Sequence, residues 1–198
     1  MGFLVMRELR IVGVDPSLCN TGVAVTRLLL PSMEIVVDDL ILIATEPVAS
    51  KQVRRNSDDL RRAQEISRGI RKAADGAALA MAEIPQGAQS ARAAWGLGIA
   101  LGLMTTFDMM GAPLIQVQPL ETKLASVGSR TASKAEIIKW AVATYPEAPW
   151  IRHKSGGAMK LTKKNEHLAD ALAAIEAGIL TTEFRQALAL MGGIIHAA

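Results

Sequence analysis

The chain has 198 residues, 22 Lys and Arg against 19 Asp and Glu, and 50% hydrophobic residues. A length of about 100–200 residues is that of one domain, so a single domain over 1–198 is expected, and 21% charge excludes a disordered or low-complexity chain. One cysteine excludes a disulfide framework and a cysteine-based zinc cluster, which leaves carboxylates and three histidines for any metal.

Arg10 to Val14 is a short β-rich run ending at Asp15-Pro16, which predicts a buried strand and a turn. A second strand is expected over Thr21 to Leu30, and a third over Glu34 to Thr45, closed by Pro47. Their short connections predict an antiparallel meander. Ser57 to Ala74 has Leu60, Ala63, Ile66 and Ile70 at helical spacing, with arginines on the other face. Leu79 to Ile84 is a strand stopped by Pro85, Ser90 to Met110 a long apolar helix, and Pro113 to Val117 another short strand. Helices follow over Leu120 to Val127 and Ser133 to Thr144, then a basic loop from Tyr145 to Lys164. A last helix, starting at Lys164 or Asn165, presents Leu168, Leu172, Ile175 and Ile179, and the chain ends in an apolar tail. Strands in a meander followed by strands alternating with helices predict an α/β fold, a mixed five-stranded sheet with its first three strands antiparallel and helices on both faces.

The charge-free run Ala93 to Phe107 is 15 residues long with three glycines, short of the roughly 20 needed to span a membrane. Met1 to Met6 is apolar but too short for a signal peptide and lacks its basic start. A soluble, cytoplasmic protein with no membrane partner is expected. The net charge of +3 is unevenly spread: residues 51–72 carry +5 and residues 121–164 carry +6, so the other 132 residues carry −8. Basic segments on such a body suit a polyanion partner, and equally suit solvated helix faces.

Asp15 and Glu83 stand at the C-terminal ends of strongly apolar strands, where an unpaired charge costs several kcal/mol. If the strands are neighbours, both carboxylates reach one sheet edge; alternatively, each caps the turn that follows it. His167 and Asp170 are three apart and share a helix face, and Glu166 can join it. The same residues also fit the acidic first turn of an ordinary helix. Together the four candidate ligands Asp15, Glu83, His167 and Asp170 would suit Mg²⁺ or Mn²⁺. Two such ions about 3.5–4 Å apart would serve phosphodiester hydrolysis.

Other signals carry less. Gly96, Gly98 and Gly102 lie inside a helix at the wrong spacing for a dinucleotide loop; Gly98 and Gly102 form a small-residue face suited to close packing, including between subunits. Cys19 has no basic neighbour in sequence that would activate it. His153 and His196 lack ligand-like company, and Trp95, Trp140 and Trp150 fit core or interface positions better than base stacking.

The run Val12-Gly-Val-Asp-Pro-Ser-Leu-Cys-Asn-Thr-Gly22 resembles the opening motif of RuvC-type Holliday junction resolvases, which have a ribonuclease H-like fold. Three more matches follow in order. They are Glu83 with the helix opening Gln89-Ser-Ala-Arg-Ala-Ala-Trp95, as in phage-type members; Leu120-Glu-Thr-Lys-Leu-Ala-Ser-Val-Gly128 leading to Ala132-Ser-Lys134; and His167-Leu-Ala-Asp170-Ala-Leu. The resemblance covers most of the chain and is weakest at 47–77 and 146–163. It implies an Mg²⁺-dependent endonuclease that nicks four-way junctions symmetrically as a homodimer through the helix at 90–110. Asp15, Glu83, His167 and Asp170 fall on the metal-ligand positions, and Lys134 and Lys123 on basic positions near the scissile phosphate. Cellular members carry an aromatic wedge shortly after the strand-four Glu, whereas Ile84-Pro-Gln-Gly87 has none. His at the third metal position and the basic insert at 51–72 likewise resemble phage forms.

The resulting expectation is a metal-dependent, structure-selective endonuclease acting on branched DNA: four-way junctions, forks or flaps. Asp15, Glu83, His167, Asp170 and Lys134 form the expected catalytic set. Lys123, Arg130, Arg92, Gln86, Arg61, Arg62 and Arg68 are expected on DNA, holding phosphates without sequence readout. A silent branched-DNA binder of the same fold is the alternative. Sugar-kinase or chaperone-type nucleotide binders share a strand-Asp-turn-Thr-Gly opening, but need two such domains.

Overall fold

The computed structural model describes residues 7–50, 52–84 and 87–196. Strands β1 (Arg7–Asp15), β2 (Asn20–Leu30) and β3 (Glu34–Ala44) form the meander, and helix α1 (Arg55–Ala73) crosses over to β4 (Leu79–Glu83). Helix α2 (Ala91–Met109) leads to β5 (Leu114–Val117), followed by α3 (Pro119–Val127) and α4 (Lys134–Thr144). A hairpin of β6 (Arg152–Ser155) and β7 (Ala158–Leu161) precedes α5 (Asn165–Gly178) and α6 (Thr182–His196). The main sheet has the order β3-β2-β1-β4-β5. β2 pairs antiparallel with β1 and β3, whereas β4 pairs parallel with β1 and β5.

The central strands are buried on both faces, which explains why β1 reads as a continuous apolar run. Side chains alternate across a strand. Ile11 therefore joins Ala24, Leu28 and Met81 beneath Leu168, Leu172 and Ile175 of α5. Val12, Val14, Val23 and Ala82 face Ile66 and Ile70 of α1 and Phe107 of α2. Two glycines set how closely α5 lies on the sheet. A methyl at Gly13 would collide with the Ala171 carbonyl oxygen, and one at Gly22 with that of His167. The first half of α5 thus rests directly on β1 and β2.

Three expectations are corrected. The basic loop at 145–164 contains the β6–β7 hairpin, and the apolar tail is helix α6, anchored by buried Phe184. On α1, Leu60 is 59% exposed, and the buried stripe is Asp59, Arg62, Ile66, Ile70 and Ala73. Among the described residues no helix is long and apolar enough to cross a membrane.

Candidate active site

Parallel pairing of β1 and β4 brings Val14 opposite Ala82. Each strand's next residue is an acid, so Asp15 and Glu83 emerge side by side at the carboxyl edge of the sheet, where ligands of open α/β sheets bind. The first turns of α5 bring His167 and Asp170 to the same edge. His167 Nδ1 and Asp15 Oδ2 are 2.7 Å apart, a hydrogen-bonded pair. His167 Nε2 faces Glu166 Oε1 at 3.5 Å, and that oxygen also meets Lys134 Nζ at 3.3 Å. Helix α3 closes the other side. Its buried Thr122 donates from Oγ1 to Glu83 Oε2 at 2.6 Å. Capping boxes at Gln118/Glu121 and Ser133/Glu136 fix the starts of α3 and α4, and thereby Lys123 and Lys134.

The electrostatics are those of half-buried acids with acidic neighbours. Burial raises the Asp170 carboxyl to about 7; the charges of Asp15 and Glu83 add to this, and Lys134 and His167 oppose it. Glu83 is raised, first by burial and then by Asp15, against the Thr122 hydrogen bond and the charges of Lys123 and Lys134. His167 is raised chiefly by its hydrogen bond to Asp15, which outweighs burial. A carboxyl raised to about 7 first by burial and then by neighbouring carboxylates is a ligand group the chain has left undercompensated. Carboxylate oxygens with one imidazole suit a hard divalent cation, so the residues present fit Mg²⁺ or Mn²⁺. They are neighbours rather than a finished cage. Among the described residues no three His, Cys, Asp or Glu side chains already converge on one point, and Asp15 and His167 engage each other.

The expected DNA-contacting residues scatter. Arg130 is exposed in the turn between α3 and α4, and Lys123 is half-buried beside Glu83. Gln86 lies outside the described residues. Arg62 is corrected: it is 1% exposed and donates to the Leu18 carbonyl (2.9 Å), Thr45 Oγ1 (3.0 Å), Asp59 (3.5 Å) and Cys19 Sγ (3.0 Å). Its donors are spent inside the protein, out of reach of a phosphate. Asp59 also takes a bidentate pair from Arg92 (2.6 and 2.7 Å) and the Trp95 indole N–H (3.0 Å). Arg92 and Trp95 keep an exposed side, Trp95 at 54%. Arg61 is tied to Asp58 and Glu65. Arg68 stands about two turns further along α1, beside Arg71 and Lys72 at a cavity near the opposite end of the helix.

Cys19, without a basic neighbour in sequence, gains one in space through Arg62. Trp150 is buried in the core and Trp140 packs against it. On α2, Gly98 and Gly102 face open space, with Leu101 and Met109 exposed on the same helix. Sequence reasoning missed Thr122, for which a lone hydroxyl in a helix gives no signal. It also missed the burial of Arg62, for which a signal existed: Arg62, Ile66 and Ile70 are spaced by four.

No protein-family model and no curated protein matches the sequence. In structure, the chain is similar to Thermus thermophilus RuvC in complex with Holliday junction substrate. The two are 19% identical with a TM-score of 0.59, over 85% of this chain and 92% of that one. A second Thermus thermophilus RuvC structure is 20% identical with a TM-score of 0.58, over 93% and 97%. Sheet order, strand directions and these likenesses together show that the chain has the ribonuclease H-like fold of RuvC-type resolvases.

Proposed function

We propose that the protein is a divalent-metal-dependent, structure-selective endonuclease that nicks Holliday junctions or other branched DNA. The observation that carries this reading is the gathering of Asp15, Glu83, Asp170 and His167 at one sheet edge, with Asp170 raised to about 7 by burial and by its acidic neighbours. The likeness to a RuvC solved on a Holliday junction substrate supports the substrate class.

Asp15, Glu83, His167 and Asp170 would hold the metal. When bound, Mg²⁺ or Mn²⁺ supplies the concentrated positive charge that phosphodiester hydrolysis requires. The chain's own residues do the rest. Thr122 holds one oxygen of Glu83, and His167 Nδ1 shares a proton with Asp15 Oδ2, fixing the imidazole orientation. Lys134, kept at the rim by Glu166, and Lys123 beside Glu83 place positive charge where a phosphate would gain negative charge. Arg130 adds sequence-independent affinity for the backbone. The open glycine face of α2 supports assembly as a homodimer that presents two such sites to one junction.

Asp15→Asn tests the reading. Cleavage of a labelled four-way junction in Mg²⁺ should fall on the order of a thousandfold, while junction binding is kept or tightens as a negative charge is lost. Cleavage at the wild-type rate would remove Asp15 from the chemistry. The alternative, a silent branched-DNA binder, is supported by the absence of a finished cage among the described residues. Metal-dependent nicking that disappears in Glu83→Gln would exclude it.

A further inference from the structure

The β6–β7 hairpin is a two-stranded ribbon that no role in the site explains. Its two-residue turn is Gly156-Gly157, with φ of 60° and 80°, the left-handed conformation that a tight hairpin requires at both positions. Four residues a side extend it by about 13 Å. Register places Lys154 opposite Met159 and His153 opposite Lys160. Arg152, Lys154 and Met159 therefore share one face, and His153 and Lys160 the other. All five are exposed, Met159 at 58%. The stretch 151–164 contains Arg152, Lys154, Lys160, Lys163 and Lys164 and no acid. Among the described residues none of these five is paired with a carboxylate.

The stem is rigidly tied to the active-site helix. Asn165, fully buried at the first position of α5, donates to the Ile151 carbonyl (2.8 Å) and the Thr162 carbonyl (3.0 Å) and accepts from the Ile151 N–H (2.9 Å). Thr162 N–H closes the stem onto Ile151 (3.1 Å). Two residues after this clamp comes His167. Within the ribbon only Leu161, at its base, packs against the core, so burial holds little of it, yet it is anchored beside the acidic edge by a buried amide whose polar atoms are all satisfied.

We propose that the β6–β7 ribbon is a DNA-binding arm that lies along a duplex arm of the branched substrate, with Arg152, Lys154 and Lys160 on backbone phosphates. This inference rests on the nuclease reading and adds a contact surface to it. A ribbon of this width fits the major groove or follows its rim, and unpaired cations on a fixed scaffold bind a polyanion without losing an internal partner.

The test is a salt titration of binding to a labelled immobile four-way junction in EDTA. It compares wild type with the triple variant Arg152→Gln, Lys154→Gln, Lys160→Gln and with the charge-retaining pair Lys154→Arg, Lys160→Arg. The triple variant should lose at least about tenfold in affinity at 0.15 M salt, with the log–log salt slope shallower by roughly 2–3. The arginine pair should keep wild-type values, and equal melting temperatures will show that the fold is intact. If wild type binds and the triple variant has the same affinity and slope, the arm proposal is overturned and the ribbon is left for a protein partner. If wild type shows no salt-dependent junction binding, the nuclease reading falls and the arm falls with it.

Discussion

Two charged clusters sit at the same edge of the sheet and behave in opposite ways. Around Asp59, three donor groups from Arg62, Arg92 and Trp95 surround one carboxylate, and the hydrogen bond from Arg92 holds its pKa below the ordinary range. Around Asp170 the neighbours are acids, and both Asp170 and Glu83 are pushed up, first by burial and then by the acidic charges beside them. The first cluster is complete: it ties the loop after β1 and the start of α2 to α1, and nothing outside the chain is needed to balance it. The second stays undercompensated within the chain's own residues, as expected of a site that holds a cation. Arginine content alone therefore misleads as a guide to DNA contact; what matters is whether a cation already has an internal acid.

The comparison breaks most visibly at Arg62. Arg62→Met takes the buried donor from the Leu18 carbonyl and Thr45 Oγ1 and removes the most distant of the three donor groups around Asp59, so unfolding free energy should fall by roughly 1–3 kcal/mol. Denaturant unfolding measures it. A change below about 1 kcal/mol would mean that Arg92 and Trp95 suffice to hold Asp59.

On the acidic side, Thr122→Val leaves Glu83 without its donor. Turnover should fall roughly ten- to a hundredfold, the worth of one hydrogen bond to a charged group, with Thr122→Ser restoring it. Equal loss in the serine variant would point to packing of the methyl rather than to the hydroxyl.

The smallest expected effect is on pH-dependent stability. Asp170, Glu83 and His167 all hold protons more tightly in the folded chain than in the unfolded one. Their stabilising contribution is complete below the unfolded carboxyl values and is lost as pH rises through the folded ones, about 7 for Asp170. Asp58 and Asp59 run the other way: arginine hydrogen bonds depress them, so their contribution is present above about pH 4 and is lost in stronger acid. Between pH 5 and 8 the first group dominates. In EDTA the melting temperature should decline over that range, and Mg²⁺ or Mn²⁺ should raise it at pH 8 more than at pH 5. Equal metal shifts at both pH values would separate the acids from metal binding.

Much of the architecture was legible because the period of the apolar residues changes with each element: continuous in β1 and β4, near 3.6 in α5. The candidate acids were legible as charges ending such runs. Their adjacency was not, because it depends on parallel pairing between residues 68 apart in sequence, with Asp15 following Val14 and Glu83 following Ala82. The β6–β7 hairpin was hidden for a different reason: with exposed polar residues on both faces it has no alternating pattern, and only Gly156-Gly157 marks its turn. Helix α6 could have been read from Phe184, Leu188 and Met191, spaced by four and three. The exposure of Leu60 and the burial of Arg62 exchange places with what hydropathy assigns, because Asp59 and the Leu18 carbonyl supply the polar partners that make a buried guanidinium tolerable.

The central claim is tested most directly by cleavage of a labelled immobile four-way junction and a matching linear duplex, each in Mg²⁺, Mn²⁺ or EDTA. Paired nicks in the junction, absent from the duplex and abolished by EDTA, are the expected result. Junction binding without cleavage in either metal would contradict it, and would leave the carboxylates at the sheet edge as a structural feature of a branched-DNA binding protein.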